Sequence, residues 1–201
     1  MDTQFHPAAP SEAMTTAGTV TPILDRSVLC ADGLPRCPWA LGNSVILADH
    51  DSRWGQRPVQ SDRWFEALVL EIFQAGLAPG TALGRHGALQ EALYDFHPQR
   101  CATLDDDDVD DLLLDRRLIR NRAKLVAVVT AARVTQAWDT EDWQDITDSA
   151  TAGAHSDLEA ARNLAGRLRE LHVVHVGEGI ARHFLARTGC ITAHVPGCHR
   201  G

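Results

Sequence analysis

Apolar residues recur along most of this chain at the three- and four-residue spacing that is typical of amphipathic helices. Ser61 stands where a capping residue would begin one long helix, and Gly76 stands where that helix would end. The apolar positions between them are Trp64, Phe65, Leu68, Val69 and Ile72. A second long helix has its apolar positions at Leu125, Val128, Val129 and Ala132. The pattern therefore predicts two long helices with buried faces.

Three further helices are predicted from their end signals. Four carboxylates, Asp105 to Asp108, stand where they would meet the positive end of a helix dipole. Ser156 and Glu159 have the spacing of a capping box, and a last helix is predicted from Gly179 to Thr188. Only the short run from Val173 to Val176 has the composition of a strand. The sequence therefore predicts an all-α fold.

The first part of the chain differs in composition from the rest. Residues 1–35 are rich in Ala, Pro, Thr, Ser and Gly and show no sustained apolar period, so we expect a flexible N-terminal extension followed by one domain over residues 36–201. No apolar run is long enough to cross a bilayer, and the N-terminus lacks the basic region of a secretory signal. We therefore expect a cytoplasmic monomer that does not bind membranes.

Charge and cysteine content narrow the possible ligands. The formal net charge of −8 opposes binding to a phosphate backbone, so a nucleic-acid ligand would need a local basic patch. Five cysteines in a reducing compartment favour metal binding or burial over disulfides. Cys30, Cys101 and Cys190 have no ligand pattern near them and are interpreted as structural.

Two pairs of residues near the ends of the domain have the chemistry of metal ligands. They are Cys37 with His50, and His194 with Cys198. Two thiolates and two imidazoles suit tetrahedral Zn²⁺, and a closed four-ligand shell is typical of a structural zinc rather than a catalytic one. The alternative is that the cysteines are ordinary buried thiols and the histidines lie on the surface.

Several separated motifs carry a resemblance to a known family. The strings are Arg36-Cys37-Pro38-Trp39, His50-Asp51-Ser52-Arg53-Trp54-Gly55, Leu70-Glu71 with Gln74-Ala75-Gly76-Leu77, Val176-Gly177, and His194-Val195-Pro196-Gly197-Cys198. In order and spacing they resemble the 3-methyladenine DNA glycosylase I family from about Arg36 to Cys198, with a shorter middle segment. The resemblance implies a helix-hairpin-helix fold, a structural zinc that joins the N- and C-terminal segments, and excision of an alkylated purine from DNA.

The resemblance also assigns site residues. Glu71 matches the glutamate that contacts the base, where a carboxylate can stabilise positive charge on the leaving nucleoside. Trp39 and Trp54 match tryptophans near the pocket, where Trp54 is interpreted as bracing the metal region. Leu77 matches a residue that can fill the gap left by an extruded nucleotide.

The sequence departs from the family pattern inside the expected pocket. Two pocket tyrosines of the family fall on Ile46 and Asp49, and a stacking tryptophan falls on Pro79, so most of the aromatic platform is lost. Asp49 could compensate by attracting a cationic ligand, or it could change the substrate. In the last predicted helix, less charged family residues are replaced by Glu178, Arg182 and His183, which indicates a remodelled, polar cleft.

The hairpin predicted between the third and fourth motif regions is basic. Arg117 stands where the family has a glycine, and Arg120, Arg122 and Lys124 follow, so these four are the candidate DNA-binding residues. The alternative for this cluster is a solvated helix end.

The leading hypothesis is a DNA base-excision repair glycosylase for a 3-methyladenine-like purine, with Glu71 as its catalytic residue. The alternative is an enzyme of the same fold that acts on a nucleoside or amine metabolite without binding DNA. A third possibility, a lesion-binding protein without catalysis, would bind damaged DNA and release no base.

Overall fold

The computed structural model describes residues 26–201, and the expectations for residues 1–25 lie outside the described residues. Two short strands open this part of the chain, β1 (Val28–Leu29) and β2 (Pro35–Arg36). The helices are α1 (Ser44–Ser52), α2 (Ser61–Gln74), α3 (His86–Ala92), α4 (Pro98–Cys101), α5 (Asp106–Leu114), α6 (Arg122–Thr135), α7 (Thr140–Thr151), α8 (Asp157–Glu170) and α9 (Glu178–Arg187). The predominantly helical class is therefore confirmed.

The core is built around α2. Its residues are buried continuously from Trp64 to Phe73, and the helix packs against α6, α7 and α9. Trp64 stacks parallel to Trp143 of α7, with ring centroids 6.2 Å apart and an interplanar angle of 3°. A helix that is buried on all sides holds its polar side chains in a fixed, dry environment, and α2 is the helix that carries Glu71.

The end of α2 was predicted correctly from the sequence, and its start was not. Gly76 follows the last turn with a φ of +70°, as expected for a glycine that ends a helix. The prediction that Ser61 caps the start was wrong, because Gln60 holds the cap position and no side chain makes a capping bond. The Ser61 hydroxyl instead donates to the Trp138 carbonyl at 2.7 Å and accepts from the Trp143 indole at 3.1 Å. It therefore ties α2 to the segment around α7.

Other helix ends follow the acidic and hydroxyl signals of the sequence. Asp105 and Asp108 form a reciprocal capping box at the start of α5, which confirms the acidic helix start. Ser156 caps α8 by accepting from the amide of Glu159, but the Glu159 carboxylate accepts from His155 N rather than from Ser156 N. The capping box predicted there is therefore only half formed.

A small hairpin contacts the C-terminal segment. β1 and β2 pair antiparallel, with Val28 opposite Arg36. The amide of Ser27 donates to Pro196 O at 3.2 Å, and the amide of His199 donates to Pro35 O at 2.8 Å. Residues 26–35, which the composition grouped with the extension, thus lie against the segment that carries His194 and Cys198. Val173 to Val176 forms turns instead of a strand.

Along residues 26–201, every helix is too short or too polar to cross a membrane.

Candidate active site and metal cluster

Four potential metal ligands meet where α1 contacts the C-terminal segment. Cys37 follows β2, His50 lies in α1, and His194 and Cys198 flank the Pro196-Gly197 turn. Their ligand atoms all lie within 4.8 Å of one another. Cys198 Sγ is 3.4 Å from His50 Nε2 and 3.7 Å from His194 Nδ1, and Cys37 Sγ is 3.5 Å from His194 Nδ1. The structure therefore brings together all four residues that the sequence selected.

These separations fit a four-coordinate metal ion. Typical metal–sulfur and metal–nitrogen bonds in a tetrahedral site place neighbouring S and N ligands about 3.5 Å apart. Asp51 Oδ1 lies 2.8 Å from His50 Nδ1, and the Trp54 carbonyl lies 3.2 Å from His194 Nε2. These contacts orient the other nitrogen of each ring toward the cluster, as outer partners of metal-bound histidines do.

Burial raises the pKa of the Cys37 thiol to about 11. Without a cation, the thiol therefore holds its proton at neutral pH. A divalent metal would displace that proton on binding, since the thiolate is the ligand form. The cluster is thus a site that a metal ion could occupy, with protons released as it binds.

Three charged side chains form a second buried cluster, which we call the acid–arginine cluster: Asp49 of α1, Glu71 of α2 and Arg187 of α9. Their exposed fractions are 4%, 3% and 8%. Arg187 Nε donates to Glu71 Oε1 at 2.6 Å, and Arg187 Nη1 donates to both oxygens of Asp49 at 3.2 and 2.9 Å. A single guanidinium therefore satisfies two carboxylates on different helices.

The surroundings of Arg187 reinforce this arrangement. Its guanidinium carbon lies 4.9 Å from the centroid of the Trp54 ring. Burial alone would lower the pKa of Arg187, but the charges of Glu71 and Asp49 outweigh it and hold the pKa above its usual value. Arg53 Nε adds a second cation 3.3 Å from Asp49 Oδ1. The negative charge expected at Asp49 is thus neutralised by arginines.

Sequence reasoning missed Arg187. A cation in the last turn of a helix usually indicates a favourable interaction with the helix dipole and a solvated head group. The signal that could have found it is its neighbours, because Phe184, Leu185 and Thr188 are all buried. An arginine on the same buried surface needs carboxylate partners inside the fold.

The second oxygen of Glu71 has a different environment. His183 Nδ1 lies 3.7 Å from Glu71 Oε2, and the imidazole side chain is 61% exposed. Within residues 26–201, Arg187 bonds to Oε1 alone. Oε2 is therefore the oxygen that faces the polar, solvent-reaching side of α9.

The aromatic and apolar candidates surround this region. Trp39 is 42% exposed and packs edge-on against His50 and Trp54, with centroids 5.2 Å away in both cases. The Trp54 indole donates to Ala193 O at 2.9 Å, which ties it to the C-terminal segment. Ile46 is buried beneath the loop that follows α2. Leu77 and Pro79 lie exposed in that loop.

Most candidate DNA-binding cations already have partners. Arg117 binds Glu91 and Asp115, and Arg122 binds Asp106 and Asp110. The Lys124 ammonium donates to Phe73 O at 2.6 Å and Ala75 O at 2.5 Å, so it satisfies carbonyls at the end of α2. Burial lowers the pKa of Lys124.

Arg120 stands apart from the other three. It is exposed and makes no ion pair within the described residues. It lines a groove of about 610 Å³ together with Leu77, Thr81, Arg85, Leu113, Arg116, Leu118 and Ile119. The groove joins the loop after α2 to the turn before α6, and three arginines make it positive.

Comparison with known proteins adds independent findings. A family model described as methyladenine glycosylase matches residues 39–201. A DNA-3-methyladenine glycosylase from Haemophilus influenzae is 29% identical over 177 residues, which cover 81% of this chain and 96% of that protein. DNA-3-methyladenine glycosylase 1 from Escherichia coli is 28% identical over 179 residues, which cover 82% of this chain and 96% of that protein.

Solved structures agree with these matches. A crystal structure of 3-methyladenine DNA glycosylase I superposes with a TM-score of 0.74 at 28% identity and covers 82% of this chain and 98% of that one. The structure that describes 3-methyladenine recognition by the Staphylococcus aureus enzyme gives a TM-score of 0.71 at 28% identity, with 82% of this chain and 95% of that one covered. The similarity therefore extends over nearly the whole length of these relatives.

Proposed function

The chain belongs to the methyladenine glycosylase family, and on that premise we propose that it is a DNA glycosylase that hydrolyses the N-glycosidic bond of an alkylated purine. The supporting observation is the placement of Glu71. It lies 3% exposed at the end of the helix that forms the centre of the core, with one oxygen facing the polar side of α9. Its relatives of known name are DNA-3-methyladenine glycosylases. The proposed location of the protein is the cytoplasm.

Glu71 is the proposed catalytic residue. In the reaction, the bond between sugar and base breaks, the base leaves with the bonding electrons, and water supplies the new oxygen on the sugar. A purine alkylated on a ring nitrogen leaves readily because it already carries positive charge. The Glu71 carboxylate would accept a hydrogen bond from the exocyclic amine and stabilise the positive charge that grows on the sugar. Trp39, Trp54, Ile46, Asp49 and Pro79 are the proposed walls of the pocket.

The groove beside Leu77 is the proposed DNA contact. Arg116 and Arg120 would meet phosphates there, and Leu77, at 39% exposure, would occupy the space of the extruded nucleotide. The segment from α5 to α6 would be the helix-hairpin-helix. Arg117, Arg122 and Lys124 remain proposed contacts that would exchange their present partners for phosphate.

The four-residue cluster is the proposed site of a structural zinc. Two sulfur and two nitrogen ligands are the set that Zn²⁺ prefers, and a closed shell leaves no position for a reacting water. Cys37 and Cys198 lie near opposite ends of the domain. Zinc would therefore join these ends beside the helix that carries Asp49, and would fix one wall of the pocket.

A single-turnover assay on duplex DNA that contains alkylated purines tests the proposed activity. The zinc-loaded protein should release the free base, and Glu71→Gln should release it at least about a hundredfold more slowly, as expected when an electrostatic contact to the reacting group is lost. Glu66→Gln is the matched control. Glu66 is a second buried carboxylate of α2, at 4% exposure, and it pairs with Arg53, Arg63 and His86.

The control separates chemistry from folding. Glu66→Gln should retain base release at a temperature where circular dichroism shows it folded. Absence of release from every alkylated duplex by the zinc-loaded wild type would contradict the proposed function. Equal rates for wild type and Glu71→Gln would contradict the role of Glu71.

A nucleoside or amine metabolite is the second candidate substrate. The observation that favours it is the pairing of Arg117, Arg122 and Lys124 with protein groups, which leaves fewer cations for a phosphate backbone. Binding to undamaged duplex DNA at low salt separates the two candidates. A glycosylase should bind with an affinity that falls steeply as salt rises.

A further inference from the structure

The acid–arginine cluster has the composition of a cation-binding pocket that already holds a cation. Arg187 presents a planar, positively charged group with several N–H donors. Asp49 and Glu71 accept from it at 2.6 to 3.2 Å, and the Trp54 ring lies beside it at 4.9 Å. A cationic purine with an exocyclic amine is also planar, positive and a donor. Arg187 therefore occupies Glu71 Oε1 and Asp49, which such a base could also use, and leaves Glu71 Oε2 on the side of His183.

We propose that Arg187 is a specificity-determining residue that fills the base pocket of the resting protein and competes with a cationic alkylated purine for Glu71. The proposal rests on the proposed function, because it takes Glu71 as the residue that contacts the base. According to this proposal, Arg187 lowers the preference of the protein for cationic purines over neutral purines.

The charges around the pocket support this competition. Asp49 and Glu71 contribute two negative charges, and Arg187 contributes one positive charge between them. Arg53, at 42% side-chain exposure, adds a second positive charge on Asp49. His183 lies beside Glu71 Oε2 at 3.7 Å. No net negative charge remains to attract an incoming cation, whereas removal of Arg187 would leave one.

Contacts other than those of the Arg187 side chain fix the backbone around it and the position of Trp54. The amide of Gly55 donates to the Arg187 carbonyl at 2.9 Å, which fixes the backbone of the last turn of α9. A Cβ at Gly189 would lie 2.5 Å from Gly55 O, so the chain packs closely at this point. Trp54 is held separately by Ala193. In the proposed competition, the Arg187 side chain leaves the carboxylates by rotation while these contacts hold the backbone and the tryptophan in place.

Binding of two nucleosides measures the preference directly. N1-methyladenosine is cationic at neutral pH, and adenosine is its neutral counterpart. The ratio of their affinities, measured by titration calorimetry at pH 7 on zinc-loaded protein, should rise at least about tenfold in Arg187→Met compared with wild type, by removal of one charge next to the ligand. Arg169→Met, at an exposed arginine in the last turn of α8, should leave the ratio unchanged.

A second variant covers the case in which Arg187→Met does not fold. Asp49→Asn combined with Arg187→Met removes one charge of each sign and leaves Glu71 free for the ligand. In this double variant, the ratio of the affinities for N1-methyladenosine and adenosine should also rise, by at least about threefold. An unchanged or lower ratio in a folded variant would overturn the proposal.

Base release from alkylated duplex DNA, measured on the same preparations, separates this proposal from the proposed function. Release by the wild type together with an unchanged ratio would overturn the role of Arg187 and leave the glycosylase activity standing. A raised ratio without release by any preparation would support the role of Arg187 and contradict the glycosylase activity.

Discussion

Replacing Arg187 with methionine removes the cation that two buried carboxylates share. Methionine keeps a long, flexible, apolar side chain, so the change removes the charge and the donors with little change in volume. Asp49 and Glu71, which are 4% and 3% exposed in the wild type, would lose this partner. The free energy of unfolding should therefore fall, because an uncompensated charge inside a fold is costly.

The size of the loss follows from the contacts. Breaking a buried ion pair by removal of one partner costs about 3 to 5 kcal/mol. Arg53 stays on Asp49 at 3.3 Å, so the loss should lie toward the lower end of that range. Asp49→Asn should cost less, about 1 to 2 kcal/mol, because Glu71 keeps its bond to Arg187. The double variant should cost less than the sum of the single variants by about 1 to 3 kcal/mol.

Urea unfolding followed by circular dichroism measures these differences on zinc-loaded protein. Arg169→Met supplies the comparison for loss of a surface arginine and should stay within about 0.5 kcal/mol of the wild type. If Arg187→Met also stayed within that range, or if the single losses simply added, the three side chains would not form the coupled unit described above.

The remaining predictions concern pH, metal and DNA. Burial would raise the pKa of Glu66, but His86 and Arg63 outweigh it and hold the pKa at about 2, below its usual value of 4.5. The ionised Glu66 should therefore stabilise the folded state by about 3 kcal/mol above pH 4.5, and this contribution should be lost as the pH falls toward 2. In acid titrations of the free energy of unfolding, Glu66→Gln should remove this pH dependence. Cys198→Ser should lower bound zinc from one per chain toward none by elemental analysis and lower the melting temperature, whereas Cys190→Ser should keep the metal. Arg120→Ala should reduce the slope of log affinity for DNA against log salt concentration by about 1, and Arg122→Ala, already paired with Asp106 and Asp110, should reduce it less.

Within residues 26–201, the helices α2, α5, α6, α8 and α9 were predicted from apolar periodicity and end signals, whereas α1, α3, α4 and α7 were not predicted. The apolar positions selected in α2 and α6 are all buried, although burial of α2 is continuous from Trp64 to Phe73, and Gly76 and the Asp105–Asp108 run mark helix ends. The β1–β2 hairpin was not predicted, because two-residue strands are too short to show alternation. Ser61 has the residue type of a cap, but its hydroxyl binds across the fold to Trp138, which no local pattern can indicate.

The candidate site also contains some residues that were selected from the sequence and some that were not. Residue type and spacing selected Cys37, His50, His194 and Cys198 with ordinary buried thiols as the alternative, the family resemblance favoured a shared site, and the structure brings their ligand atoms within 4.8 Å of one another. Arg187 was not predictable, because its role depends on Asp49 and Glu71, which lie far away in the sequence. The sequence left two roles open for Asp49, attraction of a cationic ligand or a change of substrate, and only the three-dimensional structure shows that its charge is met by arginines of the same chain.

The most direct test is to identify by mass spectrometry the free bases that zinc-loaded protein releases from methylated genomic DNA. We expect 3-methyladenine in the released fraction from the wild type and a strongly reduced amount with Glu71→Gln. Release of no methylated base by the wild type, or an equal yield from the Glu71→Gln variant, would contradict the account.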